Sequence, residues 1–217
     1  MHEIFEGIEA VVFDFDGTLI DSLGMWHEID VEYTNMLGVD LPENFQRQIE
    51  GMHYPDVARY FKKLFNIDKT IEEIMADWNE MAIDRYSNSL KLKEGSVELM
   101  QMLKNKGIRL AIATSNAREL IDASLKGHGI DGFFSVLCTS EDVKKGKPDP
   151  EVYTIAVRKL NIAPDKCLAF EDLPMGLISA RDAGLKTCAV YDEYSEYVDS
   201  EKRKIADYYV SSFKELL

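Results

Sequence analysis

The stretch Ala10–Ser22, AVVFDFDGTLIDS, decides how the chain is read. An unbroken apolar run, Ala10-Val11-Val12-Phe13, predicts a strand buried on both faces, as in a parallel sheet. Two carboxylates, Asp14 and Asp16, follow at once. Unpaired charge is costly to bury, so these acids belong where the strand ends and the chain opens into a cleft. Gly17 then lets the backbone turn away sharply. On an ideal strand, residues two apart share a face, so both acids would point the same way. An Asp carboxylate can attack phosphorus as a nucleophile, and a second carboxyl nearby can give and take a proton.

Downstream, the apolar spacing turns helical. Trp26, Ile29, Tyr33, Met36 and Leu37 share a helical face that ends at Gly38. A short helix over Leu41–Ile49 follows, then a loop, Gly51-Met52-His53-Tyr54, and Pro55 in the first turn of the next helix. Val57, Tyr60, Phe61, Leu64 and Phe65 recur at i, i+3, i+4, i+7 and i+8, and Ile71, Ile74, Met75, Trp78 and Ala82 continue the pattern. Helices without a strand predict a helical insert over 22–88, with the catalytic core in 1–21 and 89–217. Strand and helix then alternate: a helix with Val97, Met100 and Leu103 inward, strands near 108–114, 134–138, 166–170, 186–191 and 208–210, and helices between them. The predicted fold is α/β, a Rossmann-like parallel sheet with an inserted α-helical cap.

Three further strand ends carry polar groups. Thr114-Ser115-Asn116 offers a hydroxyl and free N–H groups at a helix start, suited to an anion or simply a cap. Lys147, in KKGKPDP, is ordered by Pro148, unlike its solvated neighbours Lys144 and Lys145. Glu171-Asp172 follows a strand, and with Asp14 and Asp16 makes a hard-oxygen set suited to Mg²⁺. Two like charges about 4 Å apart repel by about 4 kcal/mol at an effective dielectric of 20. Several acids facing a phosphate therefore need a divalent cation as well as Lys147.

DFDGTLIDS and the three later motifs, in this order, resemble the haloacid dehalogenase-like phosphohydrolases, in the branch with a helical cap after the first strand. The resemblance implies that Asp14 is the nucleophile and Asp16 the acid/base. It implies that Thr114, Ser115 and Lys147 bind phosphate, and that Asp14, Asp16 (through its carbonyl), Asp172 and Glu171 (directly or through water) hold Mg²⁺. Dehalogenases of the family lack the second aspartate, so Asp16 argues against that activity. Phosphonatases use a cap lysine, whereas Lys62 and Lys63 read as an exposed pair. β-Phosphoglucomutase is the main alternative; it has a cap histidine where this chain has Trp26, and a cap-loop arginine where this chain has Tyr54. The expectation is therefore a phosphatase for a small phosphomonoester, a sugar or polyol phosphate, working through an aspartyl-phosphate. Trp26, His27, His53 and Tyr54 are the candidates for substrate selection. A catalytically silent phosphate-binding module would have lost Asp14, Asp16 or Lys147, and all three are present.

Composition narrows the rest. In 217 residues, 25 basic and 39 acidic side chains give a net charge of −14, with no basic block for nucleic acid or an anionic membrane. At 46% apolar the chain can bury a core. Cys138, Cys167 and Cys188 are scattered, as expected of buried thiols in a reducing compartment. The N-terminus lacks a secretory signal. A cytoplasmic monomer is expected.

Overall fold

A computed structural model of the protein describes residues 2–49 and 52–217; Gly51 of the predicted loop lies outside the described residues. Six parallel strands form one sheet: β1 (Ala10–Phe13), β2 (Arg109–Ala113), β3 (Phe134–Cys138), β4 (Cys167–Glu171), β5 (Lys186–Val190) and β6 (Tyr208–Val210). Their spatial order is β3-β2-β1-β4-β5-β6. The chain builds outward from β1 through β2 to β3, then crosses to β4 on the other side. The strand order thus reverses between β1 and β4, and at such a point the carboxyl ends of the strands leave a crevice. Phe13 pairs with Phe170, so the segments that follow β1 and β4 leave the sheet side by side. All of Ala10–Phe13 is buried, as a strand covered on both faces requires.

Between β1 and β2 lie α1 (Leu23–Leu37), α2 (Phe45–Ile49), α3 (Tyr54–Phe65) and α4 (Ile71–Asp84), closed by a wide turn over Arg85–Ser89. Their shared core is aromatic. Phe61 contacts Phe45 and Trp78 with ring centroids 5.3 Å apart in each case, and Tyr33 at 5.7 Å. The two crossings between insert and sheet run together. Asp21 N–H donates to Lys91 O at 2.9 Å and Lys93 N–H to Leu19 O at 2.8 Å, around an antiparallel bridge of Ile20 with Leu92. The helix α5 (Ser96–Asn105) leads into β2, and after β2 the helices α6 (Arg118–Gly127), α7 (Glu151–Leu160), α8 (Pro174–Asp182) and α9 (Asp199–Ile205) complete the two outer layers.

Some expectations shift. Ser96 and Leu99 join Met100 and Leu103 on the buried face of α5, while Val97 is exposed. In α1 the buried stripe ends at Tyr33 and Thr34; Met36 and Leu37 face solvent because the helix outruns the surface it packs on. The second helix begins at Phe45 rather than near Leu41, and Leu64 is exposed. All three cysteines are free and buried. Among the described residues no helix is long and apolar enough to cross a membrane.

One charge is buried in the insert itself. Asp30 on α1 is 5% exposed and accepts a hydrogen bond from Gln46 Nε2 at 2.5 Å. Burial pushes its pKa from 3.8 up to about 7, against the pull of that bond.

Two outcomes follow for stability. Phe170 stacks on Phe13 at 5.2 Å and meets Phe213 edge-on at 5.3 Å, so Phe170→Ala should cost about 3–5 kcal/mol in urea unfolding. A cost below about 1 kcal/mol would show that this cluster does not anchor the sheet. Between pH 3.8 and about 7 the folded chain keeps a proton on Asp30 that the unfolded chain has released. Its contribution to stability therefore falls as pH rises through that window and levels off above it. Relative to wild type, Asp30→Asn should gain stability across the same window; a pH-independent difference would contradict the assignment.

Candidate active site

β1 ends at Phe13, and the chain turns at once. Leu19 N–H donates to Phe15 O at 2.9 Å, and Gly17 N–H to Ile20 O at 2.9 Å. Gly17 has φ +75°, and a Cβ there would overlap the Asp172 carboxylate, so glycine both permits the turn and leaves room for that acid. The turn separates the two aspartates that an extended strand would have kept on one face. Asp14 points into the core, and Asp16 points to the insert.

Asp14 sits in a buried charge cluster. Lys147 Nζ donates to Asp14 Oδ1 at 2.6 Å, to Glu171 Oε1 at 2.5 Å and to Ala113 O at 3.2 Å. Tyr153 OH donates to the same Glu171 oxygen at 2.5 Å. Lys147 belongs to the loop ahead of α7, and its bond to Pro148 is cis. Its neighbours Lys144 and Lys145 are exposed, as their expected solvation requires. Glu171 is the last residue of β4 rather than the first of the loop. Carboxylate oxygens of Asp14, Glu171 and Asp172 all lie within 4.8 Å of one another.

Three acids and one base cannot all be charged here at low cost. Burial, then the Glu171 charge, lifts Asp14 to about 8 despite Lys147. Burial and the Asp14 and Glu171 charges also hold Asp172 well above the carboxylate range. Burial opposes charge on Lys147 as well, but Asp14 and Glu171 outweigh it, so its ammonium pKa is raised. Asp172 Oδ1 accepts from Thr18 Oγ1 at 3.1 Å, while its Oδ2 is buried with no hydrogen-bond partner among the described residues. An orphaned carboxylate oxygen within reach of two others fits a small hard cation such as Mg²⁺. Gly176 adds to the fit, because any Cβ there would overlap the Glu171 carboxylate.

Asp16 lies outside this trio. Its Oδ1 accepts from Ser22 Oγ at 2.6 Å and from Tyr86 OH, and its Oδ2 from Asn116 Nδ2 at 2.9 Å. Tyr86 in turn accepts from Trp26 Nε1 at 2.8 Å and from Asn116 Nδ2 at 2.7 Å. Burial and the Asp16 charge raise the Tyr86 phenol well above its ordinary range, so it stays a donor.

A cavity of about 450 Å³ joins these groups to the insert. Asp14, Asp16, Thr114, Ser115, Lys147, Glu171 and Asp172 line its floor, and Trp26, His27 and Tyr54 line its roof. Thr114 Oγ1 accepts from Asn116 N–H at 3.1 Å within the turn after β2 and caps no helix, because α6 begins only at Arg118 with Ala117 as its N-cap. His53 is the exception. It does not line the cavity, and its Nε2 lies 2.6 Å from Ser140 O, where it ties the start of α3 to the sheet domain. Sequence reasoning misses Ser22, Tyr86, Tyr153, Asp30 and Gln46. Asn116 is visible only as part of a helix start, and Tyr86 carries no local mark at all.

Comparison with known proteins agrees with this geometry. The sequence profile described as haloacid dehalogenase-like hydrolase matches residues 11–190, from within β1 to the end of β5. The phosphorylated carbohydrates phosphatase of Thermotoga maritima is 30% identical, over 82% of this chain and 83% of its own. Pyrophosphatase PpaX of Bacillus cereus is 29% identical, over 84% and 83%. Among solved structures, CbbY of Rhodobacter sphaeroides in complex with phosphate superposes with a TM-score of 0.84 at 27% identity, covering 96% of both chains. With its four motifs gathered at one crevice, three at strand ends and Lys147 on the loop ahead of α7, this chain belongs to the haloacid dehalogenase-like hydrolase family.

Proposed function

We propose that the protein is a Mg²⁺-dependent phosphatase that hydrolyses a small phosphomonoester, a sugar or polyol phosphate, through a phosphorylated Asp14. The observation that carries this is the placement of Asp14. It is buried, held by Lys147, beside two further carboxylates at the strand-order reversal, with Asp16 two residues on in the same cavity. The relatives named as phosphatases, one of them for phosphorylated carbohydrates, support the same class.

In the proposed cycle an oxygen of Asp14 attacks phosphorus, and Asp16 protonates the departing alcohol oxygen. Asp16 then takes a proton from water, which releases phosphate from Asp14. Ser22, Tyr86 and Asn116 all donate to the Asp16 carboxylate and fix its orientation in the cavity. Lys147 balances the charge shared by Asp14 and the phosphoryl group, with Thr114 Oγ1 and the Ser115 N–H as donors. Asp14, Asp172, the Asp16 carbonyl and Glu171, directly or through water, would hold Mg²⁺. When bound, the ion offsets the phosphate charge and orients the group for in-line attack.

Residues 22–88 act as a cap on a core of 1–21 and 89–217, closing over the substrate to exclude bulk water. The paired crossings at Leu19–Asp21 and Lys91–Lys93 suit a hinge. Water is the final acceptor rather than a second sugar hydroxyl. Among the described residues lining the cavity Lys147 is the one Lys or Arg, and it is already paired, so a mutase's grip on a second phosphate is lacking. Three free buried thiols suit the cytoplasm.

Phosphate release from sugar, polyol and nucleotide monophosphates, with Mg²⁺ and with EDTA, tests this reading. Release should require Mg²⁺. Asp14→Asn should abolish it, and Asp16→Asn should lower kcat by about 10²–10⁴-fold. Normal turnover in Asp14→Asn would remove the nucleophile assignment. Release undiminished by EDTA would remove the metal.

A further inference from the structure

The phosphate end of the cavity is built from groups the mechanism uses, but its far end is not. There Asp30 and Gln46 line the wall together with His27, Tyr54 and Trp78. Asp30 is 5% exposed, and among the described residues its carboxylate accepts from Gln46. Trp78 is 2% exposed, and its indole Nε1–H is buried with no acceptor among the described residues. Above the pKa of about 7 that burial gives Asp30, one wall therefore holds an acceptor-only carboxylate and an idle donor. The Tyr54 phenol lies within the field of both Asp30 and Asp16, whose charges add to burial in raising its pKa, so the far-end acid and the reacting end face one small space.

We propose that this far wall, centred on Asp30, recognises an uncharged, hydroxyl-bearing leaving group and turns away substrates with a second anionic group at that end. The inference rests on the phosphatase reading above. A hydroxyl both donates and accepts, so a polyol chain can donate to Asp30 and accept from Trp78. An ammonium satisfies only the first, and a phosphate or carboxylate only the second, while setting its charge against Asp30 in a poorly solvated wall. No cation rescues an anion there. Among the described lining residues Lys147 is the only Lys or Arg, and it is committed to Asp14 and Glu171. Arg47, next to Gln46, is exposed, with its guanidinium over the Tyr197 ring at 4.6 Å. Sites built to hydrogen-bond a substrate hydroxyl discriminate strongly, because partners left unpaired in a buried wall are penalised. Asp30 thus favours a polyol monophosphate, uncharged beyond its one phosphate, over a bisphosphate.

Steady-state kinetics on three probe sets tests this: p-nitrophenyl phosphate; glycerol, ribose and hexose monophosphates; and the bisphosphates of ribulose and fructose. The best monophosphate should exceed every bisphosphate by about 100-fold or more in kcat/KM. Asp30→Asn should raise KM for that monophosphate about tenfold or more, with kcat little changed, and should narrow the margin over bisphosphates. A thermal melt checks that the variant is folded; the wild-type comparison stands without it. A bisphosphate turned over within about tenfold of the best monophosphate overturns the inference, as does an unchanged KM in folded Asp30→Asn. Release from p-nitrophenyl phosphate without such a preference sinks the inference alone. No release from any probe with Mg²⁺ sinks the phosphatase reading and the inference with it.

Discussion

The contact on which the site depends is the double ion pair of Lys147 with Asp14 and Glu171. It joins the end of β1, the end of β4 and the loop ahead of α7, so three separate parts of the chain meet at one buried ammonium. Leaving any of these charges alone at this depth is costly, and removing one partner of a buried pair strands the other. The cluster still carries more acid than base, since Asp172 adds a third carboxylate and one of its oxygens has no partner among the described residues. An electrostatically unfinished site in a well-packed sheet is what a cation and a phosphate would complete.

A second network links this cluster to the insert. Asp16 is bound by Ser22, where the chain enters the insert, by Tyr86, where it leaves, and by Asn116 at the start of the segment leading to α6. The carboxylate proposed to move protons is thus fixed by both ends of the element that covers the cavity. The two crossings are themselves hydrogen-bonded side by side, which confines their relative motion. The insert and the Asp16 carboxylate are therefore joined by direct contacts rather than through the sheet.

Much of this was legible in the sequence because charge beside an apolar run is informative. Asp14, Thr114 and Glu171-Asp172 each stand at the end of a buried strand, and the sheet order brings those ends together. Lys147 was legible through its two prolines. Partners remote in sequence were not. Tyr86 is 70 residues from Asp16 and Asn116 is 100 away, and neither position carries a local pattern that names its partner. His53 looked like a cavity residue from its place in the loop, but the Ser140 carbonyl takes its ring. Periodicity also overstated burial at Val97, Met36 and Leu37, because a helical face is apolar by sequence but buried only where another surface lies against it.

Covalent catalysis by Asp14 is the central claim, and trapping the covalent state tests it most directly. Asp16→Asn slows hydrolysis of the intermediate by removing the base that activates water. That variant, mixed with Mg²⁺ and p-nitrophenyl phosphate, whose phenolate leaves without a proton from Asp16, and quenched in acid, should carry the added mass of one phosphoryl group. Peptide mapping should place it on Asp14. A phosphoryl group on any other residue, or turnover in wild type with no phosphorylated protein in either form at any quench time, would contradict the account.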